Sequence, residues 1–173
     1  MATVQKIIPN LWLDDNAEDA AKFYVSIFKN SKIGRVTRFG KEGYEIHQRP
    51  EGSVMTIEFS LDGQNFLALN GGPIFNFTEA ISFVVNCDTQ EEIDYYWKNL
   101  SEDGDPNAQQ CGWLKDKFGL SWQVAPTIMA DMFVDSQSEK SQRVMKAMLQ
   151  MKKLDIAALE QAFYGQPETQ VQV

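Results

Sequence analysis

The order of elements in this chain runs twice. Ala17-Glu18-Asp19-Ala20-Ala21-Lys22-Phe23-Tyr24 lies over Thr89-Gln90-Glu91-Glu92-Ile93-Asp94-Tyr95-Tyr96, pairing two helix starts and two aromatic doublets. Gly63-Gln64-Asn65-Phe66 lies over Gly119-Leu120-Ser121-Trp122 and pairs the exits of two hairpins. Few positions are identical, so the repeat is one of order: strand, helix, strand, strand in each half. Two such modules in 173 residues are expected to share one core as a single domain. An apolar share of 43%, with 12% aromatic, supplies that core and excludes wholesale disorder.

In the first module, residues 7–13 read as a strand interrupted by Asn10. Asp15, with Glu18 three positions on, reads as a helix cap. Ala20, Ala21, Tyr24, Ile27 and Phe28 recur at helical spacing and give one buried face, ended by Asn30 and Ser31. Alternation over residues 32–39 predicts a strand exposed on one side, and residues 40–52 a long polar loop. Residues 53–60 and 64–70 form a hairpin about Asp62-Gly63. Gly71-Gly72-Pro73 reads as the linker to the second module.

There, residues 80–86 are a strand, and Thr89 with Glu92 is a capping box before a helix that turns Ile93, Tyr96, Trp97 and Leu100 inward. Residues 101–108 read as a polar loop. The modules are thus bounded at 1–72 and 78–126, with a helical extension over 127–165. That extension holds segments at 127–134, 138–151 and 155–163, and a polar, frayed tail follows over 166–173. Its face of Val144, Ala147, Met148 and Met151 reads first as core packing and second as a subunit contact.

The densest chemistry lies at residues 111–126, C-G-W-L-K-D-K-F-G-L-S-W-Q-V-A-P, two short strands about a tight Asp116-Lys117-Phe118-Gly119 turn. Two of the four tryptophans and one of the two cysteines fall here, as expected of a pocket wall. Strand alternation places Cys111, Trp113 and Lys115 on one face, and Ser121, Gln123 and Ala125 on one face of the next strand. Trp113 for stacking, with Ser121 and Gln123 for hydrogen bonding, are the ligand-binding candidates. Cys111 is a weak catalytic candidate. Lys115 would be roughly 13 Å away along an extended strand, too far to activate the sulfur, and packing is the commoner role. Asp116 could act as a base if desolvated, but an aspartate at a turn more often stabilises that turn. Cys87, at a strand end before Asp88, reads as packing.

A net charge of −8 argues against nucleic acid as a partner, because phosphate contact needs clustered cations. Residues 1–6 carry no cationic segment leading an apolar run, so no signal peptide is expected. No apolar stretch approaches the roughly 20 residues that span a bilayer. Two cysteines suit a reducing compartment, and the expectation is a soluble cytoplasmic protein without membrane contact.

The hairpin motif resembles the signature of the PhnB-like group, often labelled demethylubiquinone methyltransferase domain, within the vicinal oxygen chelate superfamily of glyoxalases, bleomycin-resistance proteins and dioxygenases. The opening I-I-P-N-L-W-L-D-D-N-A-E-D-A-A-K-F-Y and the closing R-V-M-K-A-M-L-Q-M-K-K-L-D-I-A-A-L share in the likeness. The resemblance implies an α+β fold of two βαβββ modules with paired curved mixed sheets, C-terminal helices, a concave pocket and a homodimer. Metal-using members place His, Gln or Glu on four strands. Here those places fall at Pro9, Leu67, Ile81 and Gln123, of which Gln123 alone has a donor atom. The single histidine, His47, sits in the polar loop. No metal is therefore expected.

Nor is a cofactor: Asn70-Gly71-Gly72-Pro73 follows a hairpin strand and precedes no helix, unlike an S-adenosylmethionine turn. The expected function is binding of a small organic molecule in a metal-free pocket. An enzyme of the superfamily working through side chains alone is the alternative.

Overall fold

The computed structural model describes residues 5–165, and the expected tail at 166–173 lies outside them. The chain divides between Phe77 and Thr78 into two compact units. The first unit runs β1 (Asn10–Leu13), α1 (Ala17–Ile27), β2 (Lys32–Arg38), α2 (Tyr44–His47), β3 (Val54–Leu61) and β4 (Gln64–Asn70). Its sheet has the order β1-β4-β3-β2, with β1 parallel to β4 and the rest antiparallel. The second unit runs β5 (Ser82–Cys87), α3 (Gln90–Ser101), β6 (Asp105–Gln110), β7 (Trp113–Lys115) and β8 (Ser121–Pro126). It continues into α4 (Met129–Met132), α5 (Glu139–Met148) and α6 (Ile156–Tyr164). Its sheet repeats the topology as β5-β8-β7-β6, again with one parallel pair, β5 and β8. Each unit is thus a βαβββ module, and the fold is α+β with C-terminal helices.

In the first sheet Leu11, Leu13, Ile57, Phe59, Leu61, Phe66 and Ala68 alternate onto a buried face, with Ala17, Ala20, Ala21, Tyr24 and Ile27 of α1 also buried. Tyr24 stacks with Phe59 at 6.2 Å and Phe59 with Phe66 at 5.3 Å. The cap expected at Asp15 is not made. Asn16 holds the cap position without a side-chain bond, and the N–H of Ala17 donates instead to Asn70 Oδ1 on β4, at 2.8 Å. Asn70 Nδ2 in turn donates to the carbonyl of Val54. The Asp62-Gly63 turn has the two positive φ angles, 45° and 80°, that a two-residue hairpin needs. The expected long loop contains the short α2.

In the second module the capping box forms with a shift: Thr89 Oγ1 accepts from Glu92 N–H, while Glu92 Oε2 accepts from Asp88 N–H. Ile93 and Leu100 are buried, Tyr96 and Trp97 half-buried. The polar stretch expected as a loop holds the first part of β6, including Pro106. An edge strand tolerates proline's missing donor, and the β6–β7 register is irregular between Asp105 and Gln110. Ser138 and Asp155 cap α5 and α6 through the N–H groups of Ser141 and Ala158. Met132, Val144, Leu154 and Leu159 form the core of this extension, with Met148 and Met151 packed against it. The methionine stripe is therefore substantially core.

Candidate functional site

On β8, Trp122 and Val124 point into the core while Ser121, Gln123 and Ala125 take the other face. Across the antiparallel ladder Trp113 lies opposite Gln123 and Lys115 opposite Ser121; on the parallel side Ser82 lies opposite Ser121 and Val84 opposite Gln123. Trp113, Lys115, Ser82, Ser121 and Gln123 therefore share the face turned away from α3. Gln123 Nε2 donates to Ser82 Oγ at 2.8 Å, and Lys115 Nζ pairs with Glu79 Oε1. The hydrogen bond from Lys115, then one to its own backbone, holds the Glu79 carboxyl below the ordinary carboxylate value. Ser121 is only 1% exposed, yet its Oγ has no hydrogen-bond partner among the described residues. A buried hydroxyl in that condition is unfavourable by about 1–3 kcal/mol until something supplies a partner.

Cys111 does not join this face. It is not on the strand of Trp113 and Lys115 but in the two-residue turn between β6 and β7, where Cys111 and Gly112 have φ of 52° and 85°. Its N–H donates to the carbonyl of Met151, and that of Gly112 to Lys152. The Cys-Gly pair, flanked by strand residues, was the sequence signal for this turn. Asp116 is 2% exposed and does the work of a turn: Oδ1 accepts the N–H of Phe118 and Leu120, and Oδ2 accepts Trp122 Nε1–H at 2.8 Å. Cys87 is fully buried, and burial, then Glu92 and Asp88, pushes its thiol up to about 12. His47 lies in α2 with its ring 4.5 Å from that of Phe39. Its Nδ1 accepts Arg49 N–H, which leaves Nε2 to donate to the carbonyl of Glu42.

The first module repeats the arrangement with other residues. Glu58 lies opposite Leu67, and Leu67 opposite Asn10, as Trp113, Gln123 and Val84 do in the second. This equivalent face carries a cleft of about 340 Å³, lined by Gln5, Lys32, Glu58, Ser60 and Asn65 among others. Sequence reading passed over it because its residues lie scattered along the chain and only strand register gathers them.

The four places that the resemblance implied, Pro9, Leu67, Ile81 and Gln123, can be set against the ladders. Leu67 and Gln123 hold equivalent positions, but Asn10, not Pro9, faces Leu67, and Val84, not Ile81, faces Gln123. Ile81 precedes β5 and is 70% exposed. The ladder-opposed set Asn10, Leu67, Val84 and Gln123 offers two neutral amides and no carboxylate, imidazole or thiolate, which does not fit a divalent ion. Among the described residues no group of three or more His, Cys, Asp or Glu side chains is gathered for one. The glycine turn does not fit S-adenosylmethionine either. A Cβ on Gly71 would lie 2.3 Å from the Trp12 indole, whose Nε1 donates to the carbonyl of Gly72, so this turn is shaped by the protein's own tryptophan.

Each module sets one long helix beside a four-stranded sheet with a single parallel pair, and the two together define a duplicated βαβββ fold. The family model of 3-demethylubiquinone-9 3-methyltransferase matches residues 5–125. A PhnB protein from Bacillus cereus, bearing the same methyltransferase name, is 36% identical, with a TM-score of 0.60 over 71% of this chain and 100% of its own. A protein from Pseudomonas aeruginosa is 19% identical, with a TM-score of 0.54 over 71% of this chain and 98% of its own, and shares the fold. The search of curated proteins returns no match. This chain belongs to the 3-demethylubiquinone-9 3-methyltransferase family, the PhnB-like group that the hairpin resembles. The matched span stops before α4, so the closing segment at 143–159 lies outside it.

Proposed function

We propose that this chain binds a small organic molecule against the helix-free face of its second sheet, without a metal, and works as a cytoplasmic homodimer. The carrying observation is Ser121, a buried hydroxyl without a hydrogen-bond partner beside Trp113 and Gln123. A ligand polar group there would satisfy it while the indole covers the ligand's apolar body. Two unpaired cysteines agree with a reducing compartment, and among the described residues no helix is long and apolar enough to cross a membrane. Methyl transfer, which the family's name carries, gains no support from the glycine turn. Side-chain catalysis gains none from Asp116 or Cys111, whose contacts are those of two turns.

Native mass spectrometry of protein purified gently from cells, without chelator or added metal, tests this. The expected result is a mass of twice 19.7 kDa plus an organic component released on denaturation. One or two divalent ions per chain in place of that component would overturn the metal-free reading.

A further inference from the structure

We propose that the ligand of this face is an organic anion anchored by Lys115, and that Glu79 is the resident counter-ion it displaces; this rests on the small-molecule reading above. Lys115 and Ser121 are directly opposed across β7 and β8, so their side chains leave the same face of the sheet as neighbours. The ammonium has only donors, and the unpartnered Ser121 hydroxyl adds another. A donor pair of this kind is met best by a carboxylate, phosphate or phosphonate, through charge-assisted bonds. Gln123 spends its Nε2 on Ser82, so its carbonyl oxygen is left to accept from a ligand donor, and Trp113 covers the apolar part.

Two acids face Lys115. Asp105 lies opposite it on β6, but its Oδ1 is engaged by the N–H of Asn107. Glu79 makes the ion pair, and the two partners differ: the lysine side chain is 24% exposed, the glutamate 62%. Glu79 precedes β5 and can leave without disturbing the ladder. An exposed pair of this type contributes little to stability, so exchange of one carboxylate for another is energetically accessible.

The test is a titration of the full chain followed by the Trp113 indole and Ser121 amide signals in a ¹⁵N-correlated spectrum. The probes are the matched pairs benzoate with benzamide, and hexanoate with hexanamide. The acids should bind at least about tenfold tighter than their amides. Lys115→Met should erase that difference and Lys115→Arg retain it, each with the remaining spectrum unchanged as the check on folding. Glu79→Gln should strengthen the acids by about fivefold and leave the amides alone. Equal binding of acids and amides, or discrimination surviving Lys115→Met, overturns the anion anchor while the small-molecule reading stands. Silence from all four probes counts against both.

Discussion

Trp122 donates its indole N–H to Asp116 Oδ2 at 2.8 Å, tying the turn between β7 and β8 to the core of the second module. The same carboxylate accepts the N–H of Phe118 and Leu120. Asp116 is therefore a structural anchor, and its replacement should show in stability. Asp116→Ala is expected to lose about 3 kcal/mol, since it strands buried donors, one of them the indole. Asp116→Asn should lose about 1–2 kcal/mol, because its amide N–H₂ can oppose the Trp122 donor. Urea denaturation measures both. A loss below half a kilocalorie in the Ala variant would remove this role.

Asn70 caps α1 from 53 residues away in sequence and also holds the carbonyl of Val54. Asn70→Ala should lose about 2 kcal/mol, whereas Asp15→Ala, at the position the sequence suggested as the cap, should change stability by less than about 0.5 kcal/mol. Equal effects at the two sites would contradict the observed cap.

Gly71 and Gly40 make a controlled pair. A Cβ at Gly71 would sit 2.3 Å from Trp12, while at Gly40 it meets nothing within 4 Å. Gly71→Ala should destabilise by about 3 kcal/mol or more through forced displacement of the indole, and Gly40→Ala by roughly nothing. Thermal melts with tryptophan fluorescence report both the loss and the moved ring.

Ser121→Ala removes a buried hydroxyl that the protein leaves unpaired. The variant should be as stable as the parent or up to about 1 kcal/mol more stable. It should also bind the organic component expected in the native mass spectrum about tenfold less tightly. A clear loss of stability would show that the hydroxyl serves the fold and not a ligand.

The two thiols should separate chemically. Cys111 is half-buried and Cys87 fully so, with its thiol pushed up to about 12 by burial, so one equivalent of a thiol reagent should label Cys111 in the native protein. The folded Cys87 holds its proton more tightly than the unfolded one, whose value is 9.0. Stability from this group is thus full below pH 9.0 and falls as pH rises toward about 12. Cys87→Ala should flatten that alkaline fall in a denaturation series; an unchanged slope would assign the fall elsewhere.

Local chemistry was enough for the sequence to determine much of this protein. Helical spacing in α1 and α3, the Asp62-Gly63 turn, the Thr89 cap and the repeated order of elements all depend on neighbours within a few residues. The faces of Ser121, Gln123 and Trp113 followed from the two-residue period of strands. Tertiary structure alone decided what depends on register and on distant partners. Cys111 left its strand because a Gln110–Trp113 pairing makes Cys111-Gly112 a turn, and α1 took its cap from Asn70. Val84 came to lie opposite Gln123, and Lys115 to face Ser121. A one-residue slip turns every side chain of a strand over, and no local rule fixes which residues two strands bring opposite each other. The sequence could therefore name the candidate hairpin, but only the ladder of hydrogen bonds could place a cation opposite an unpaired hydroxyl on it.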